Sequence, residues 1–62
     1  MSNKNIFRAL SSPTRIKILR LLTNEEMHLS GLARSIGISV PVTSRHIKIL
    51  ENAGLINKRI FK

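Results

Sequence analysis

Residues 38–56, Ile38-Ser39-Val40-Pro41-Val42-Thr43-Ser44-Arg45-His46-Ile47-Lys48-Ile49-Leu50-Glu51-Asn52-Ala53-Gly54-Leu55-Ile56, constrain the fold more than any other stretch of the chain. Ser39 can cap a helix, Pro41 suits a first turn, and Gly54 can end the helix in a left-handed residue. Val40, Thr43, Ile47 and Leu50 recur between them at three- and four-residue spacing, which predicts a helix over about 40–52 with this stripe turned inward. The opposite side carries Val42, Ser44, Arg45, His46 and Lys48, with Ser39 at the cap. A shorter helix, about Gly31 to Ile36, is predicted just before it, capped by Ser30 and ended by Gly37 in the left-handed conformation. Two short helices joined by a tight turn, about residues 30–53, make a helix-turn-helix, whose second helix can lie in a DNA major groove.

The rest of the chain supplies the support. A first helix is predicted over about Asn3 to Leu10, with Ile6, Phe7 and Leu10 apolar. A second is predicted from Pro13 to Leu22 or Thr23, capped by Ser12. Its core stripe is read as Ile16, Ile18, Leu19 and Leu22, with Arg15, Lys17 and Arg20 on the outer face. Met27-His28-Leu29 reads as a small strand and Leu55 to Phe61 as a second one. The expected class is therefore mainly α: a single winged helix-turn-helix-like domain of three or four helices over residues 1–62, with an incomplete wing.

Charge narrows the partners. Eleven Lys and Arg face three Glu, a net +8, spread along the chain and interleaved with apolar residues. That balance points to a polyanion, nucleic acid or an anionic membrane. No apolar run approaches the roughly 18 residues of a spanning helix, and glycine and proline interrupt any long amphipathic helix. No membrane partner is expected, and a cytoplasmic protein is. Glu25, Glu26 and Glu51 form no acid–base pair, no phosphate loop or nucleophile motif is present, and no enzyme is expected. With no cysteine and two scattered histidines, neither a metal site nor a cofactor is expected.

Two motifs then carry a resemblance. Ala9-Leu10-Ser11-Ser12-Pro13-Thr14-Arg15-Ile16-Lys17-Ile18-Leu19-Arg20-Leu21-Leu22 looks like the "AL-x-x-PTR-x-x-IL-x-LL" opening of the ArsR-type winged helix-turn-helix transcription regulators. Ser39 to Leu50 followed by Ala53-Gly54-Leu55-Ile56 resembles their recognition helix and its exit, with Leu32-Ala33-x-x-Ile36-Gly37 between. The resemblance implies a homodimeric repressor of palindromic double-stranded DNA. By position, it would turn Ser39, Val40, Val42, Ser44, Arg45, His46 and Lys48 toward the groove or its phosphates. Lys58 and Arg59 fall where a wing would approach the backbone.

The chain departs from the family pattern in three places. Relatives often place Thr then Val where this chain has Val42 then Thr43, which here puts a hydroxyl on the inner stripe. The paired cysteines of metal-sensing members are absent at His28-Leu29-Ser30, so a thiolate metal sensor is not expected. The return strand of the wing and a final dimerisation helix are not in the sequence. This suggests a strand paired across a dimer, or a fragment of a longer regulator. Other readings of the same residues stand beside the first: a solvated helix face, a module that binds protein such as the transcription machinery, or a binder of structured RNA.

Overall fold

A computed structural model of the chain describes residues 3–24 and 28–56. Four helices follow in order: α1 Asn3–Leu10, α2 Pro13–Asn24, α3 Leu29–Ile36 and α4 Val40–Asn52. α2 and α4 each pack against the other three helices, and α1 and α3 flank that central pair. The core gathers Ala9, Ile18, Leu32, Ile47, Leu50 and Ala53, one or more from every helix or its exit. Half-buried leucines and isoleucines, among them Leu22, Leu29, Ile36 and Ile49, close its edges.

The junction of α1 and α2 is held by an arginine. The carbonyl of Ala9 would ordinarily accept from the N–H four residues on, but that residue is Pro13 and has none. Arg15 Nε donates to this carbonyl at 2.9 Å, and Arg15 Nη2 donates to the Arg8 carbonyl at 2.7 Å. Ser11 closes α1 from the other direction, its hydroxyl donating to Arg8 O at 2.8 Å. Ser12 starts α2 as its sequence predicts, its Oγ accepting from Arg15 N at 3.3 Å. Arg15 is thus buried to 9% exposure, where the sequence places it on the outer face. Ile16, read as core, is 38% exposed instead. The inward side of α2 is Arg15, Ile18, Leu19 and Leu22, so three of the four residues read as its core stripe pack inward and Arg15 takes the place of Ile16.

α3 also differs from expectation. Leu29 is its first residue, with His28 at the N-cap position, extended at φ −75°, ψ 157° and making no side-chain cap bond. Ser30, read as the cap, lies inside the helix, and Leu29 is no strand residue. Starting the helix earlier completes an apolar row of Leu29, Leu32, Ala33 and Ile36 against the core. Met27 lies outside the described residues.

The turn between α3 and α4 follows the sequence reading. Gly37 adopts φ 85°, ψ 33°, and the N–H groups of Gly37 and Ile38 both donate to Ala33 O, at 2.8 and 3.1 Å. This closure needs a residue at positive φ, which favours glycine. Ser39 then caps α4, its Oγ accepting from Val42 N at 3.3 Å. α4 ends through Gly54 at φ 75°, with Leu55 N donating to Leu50 O at 3.0 Å. Leu55 and Ile56 fold back against the core as bends rather than beginning a strand. No strand occurs among the described residues, and 57–61 of the expected wing strand lie outside them.

Candidate nucleic-acid interface

α4 separates its two faces cleanly at the centre. Thr43, Ile47 and Leu50 are buried. The Thr43 hydroxyl donates to Ser39 O at 2.8 Å, so the polar group that the sequence sets on the inner stripe is satisfied within its own helix. Val40, expected at the head of that stripe, is 42% exposed, because the first turn of α4 projects past the core. At about 100° per residue, Arg45 and Lys48 stand opposite the buried stripe. Both are exposed, as are Ser39, Val42 and Ser44. Val42 is 39% exposed.

This surface mixes three chemistries within a few turns. Arg45 offers a planar fork of donors and Lys48 a compact ammonium, both suited to oxyanions and to acceptor edges of bases. The hydroxyls of Ser39 and Ser44 add short donor–acceptor groups. Val40 and Val42 supply methyl groups that can pack on an apolar edge. Lys58 and Arg59 lie outside the described residues. Among the described residues no three His, Asp, Glu or Cys gather to hold a metal. No described helix is long and apolar enough to cross a membrane.

His46 is the site residue placed differently from expectation. It is half-buried on the flank of α4, with Nδ1 3.1 Å from Nη1 of Arg15. Burial lowers its pKa first, and the positive charges of Arg15 and Arg45 lower it further. Sequence reasoning put His46 on the outer face and missed Arg15 as its neighbour. The signal was present in Pro13, which orphans the Ala9 carbonyl and calls for a long donor nearby.

The lowered pKa predicts how stability depends on pH. The folded state binds the His46 proton less readily than the unfolded chain, whose imidazole titrates near 6.5. The unfolded state therefore holds more protons as pH falls below that value, and stability is lost in that direction. Above about pH 7 the contribution is fully present. Urea unfolding between pH 8 and 5 should show stability dropping below pH 6.5, with a smaller drop in His46→Gln. Equal slopes for the two proteins would contradict this placement of His46.

Comparison with known proteins identifies the family. The profile of the bacterial regulatory protein arsR family matches residues 12–58. The transcriptional repressor SdpR of Bacillus subtilis is 43% identical over 53 residues, covering 86% of this chain and 59% of that protein. An uncharacterized HTH-type transcriptional regulator of Methanocaldococcus jannaschii is 36% identical over 64 residues, covering 87% of this chain and 67% of its own length. The HTH-type transcriptional regulator KmtR of Mycobacterium tuberculosis is 35% identical over 54 residues, covering 87% of this chain and 42% of that protein. The chain thus spans about three fifths of SdpR and two fifths of KmtR. No solved structure matches it. With the profile covering most of its length and relatives of this similarity, the chain belongs to the arsR family of bacterial regulatory proteins.

Proposed function

We propose that this chain binds double-stranded DNA in a sequence-specific manner, with α4 in the major groove, and acts as a homodimeric transcriptional repressor. The observation that carries the reading is the exposed pair Arg45 and Lys48, set opposite the buried stripe of a capped helix in a chain of net charge +8. Ser39, Val40, Val42, Ser44 and His46 complete the proposed contact, and Lys58 and Arg59 are proposed to add phosphate contacts. Family membership and the repressor SdpR support the regulatory role. One short reading helix reaches only a few base edges, so two copies on a palindrome supply the specificity that one lacks. Phe7, 73% exposed on α1, and the groove lined by Leu10 and Ile16 offer apolar surface suited to a second copy.

The test is affinity for duplex DNA over a range of salt. Each phosphate contact contributes about −0.9 to the log–log slope. The double variant Arg45→Ala, Lys48→Ala is expected to weaken binding at least tenfold and to flatten the slope by one to two contacts. Unchanged affinity and slope would remove α4 as the reading helix. The competing reading, a protein-binding module, draws on exposed Val40 and Val42. It predicts a partner whose affinity is indifferent to Arg45 and Lys48.

A further inference from the structure

We propose that Arg15 is a positioning residue for DNA recognition, holding His46 as a neutral donor with its proton on Nε2. This rests on the reading that α4 faces DNA. The Arg15 guanidinium carries five N–H donors and no acceptor and stays protonated. Its contact with Nδ1 of His46 at 3.1 Å can run in one direction only, from Arg15 Nη1 to the imidazole lone pair. Nδ1 is therefore unprotonated, and the single ring proton sits on Nε2.

Arg15 is itself fixed. Its Nε and Nη2 are bound to the carbonyls of Ala9 and Arg8 at the end of α1, and the side chain is buried. The guanidinium is thus a rigid fitting built from α1 and α2 against which the flank of α4 rests. Nε2 lies at the outer edge of the ring and makes no hydrogen bond to the described residues. No buried side-chain nitrogen or oxygen among them lacks a partner, so Nε2 opens to solvent. The charges acting on the ring are Arg15 from α2 and Arg45 from its own helix, and both oppose a second proton.

The consequence is specificity. A ring locked this way presents one donor and no acceptor toward its ligand. It matches a phosphate oxygen, N7 or O6 of guanine, N7 of adenine or O4 of thymine. It has nothing to offer the amino groups of cytosine or adenine. An unlocked imidazole could present either a donor or an acceptor and would not discriminate in this way.

Two measurements test the proposal. Long-range proton–nitrogen NMR of the labelled wild-type chain at neutral pH should show His46 as the Nε2–H tautomer. A dominant Nδ1–H form, or averaging between the two, would overturn the lock. Affinity for a duplex bound by the wild type should then separate two variants that keep different halves of the ring. His46→Gln places an amide donor near the Nε2 position. His46→Asn keeps an acceptor near Nδ1 for Arg15 but lacks the outer donor. His46→Asn is expected to bind at least fivefold more weakly than His46→Gln, the worth of one hydrogen bond. Equal affinities, or the reverse order, would leave His46 a merely structural partner of Arg15 and overturn the proposal. If wild type binds no duplex while the tautomer is as expected, the DNA reading has failed. If DNA binding is intact but the tautomer is unlocked, only the role of Arg15 has.

Discussion

Arg15→Met is expected to cost the domain about 3 kcal/mol, most of the stability that a chain of this size commands. Methionine keeps an apolar stem of similar length but none of the three donors. The Ala9 carbonyl then loses Arg15 Nε, and Pro13 cannot replace it. A buried carbonyl left without a donor costs roughly 1–3 kcal/mol, and Ala9 is fully buried. The charged bonds to Arg8 O and to His46 are lost together with it. Arg15→Lys should recover less than half of the loss, because an ammonium is a point donor and cannot span the two carbonyls and the imidazole at once. Denaturant unfolding decides the matter. A loss under about 0.5 kcal/mol, the range of ordinary surface substitutions, would return Arg15 to the solvated face.

Ile18→Ala should cost about 2–5 kcal/mol, while Ile16→Ala costs under about 1 kcal/mol. The two isoleucines are separated by one residue, so helical geometry turns them about 200° apart. Ile18 is fully buried among Ala9, Leu32, Ile47, Leu50 and Ala53, and its truncation leaves a cavity that a rigid core fills poorly. Ile16 borders an open groove with Leu10, Leu19, Arg20 and Thr23, and its truncation leaves no enclosed void. The comparison within one helix removes helix propensity from the result, since both substitutions are Ile to Ala. Comparable losses at the two positions would mean that α2 is rotated from the orientation described.

These residues also mark where the sequence is legible and where it is not. The bounds of α1 and α4, the start of α2, the Ser39 cap and both glycine closures follow from local chemistry. A hydroxyl next to free N–H groups, or a glycine at positive φ, acts over a few residues and can be read without the rest of the fold. Thr43, Ile47 and Leu50 repeat at helical spacing and are buried as expected. Hydropathy places Ile18, Leu19 and Leu22 of α2 on the core but misplaces Ile16 and Arg15, because nothing in an apolar stripe marks a buried guanidinium. A tertiary demand, the donorless carbonyl of Ala9, outweighs the cost of burying a guanidinium. The start of α3 was misread for a related reason. Ser30 is a good cap in isolation, but packing Leu29 on the core favours a helix that begins two residues earlier with no side-chain cap. The strand expected at Leu55 gives way to a bend because those apolar side chains cover the core directly.

In the candidate site, the sequence separates Arg45, Lys48, Val42 and the serines from the core, because periodicity fixes which side of α4 they occupy. It does not reveal that His46 lies on the flank against α2. That pairing joins residues 31 positions apart and depends on how α2 is rotated.

Selection of duplex DNA from a random pool at two salt concentrations, with the oligomeric state of the bound protein measured alongside, tests the central claim most directly. The expected result is a palindromic consensus bound by two copies, with half-sites about one helical turn apart and affinity falling steeply with salt. Binding without any consensus, or no binding at low salt, would contradict it.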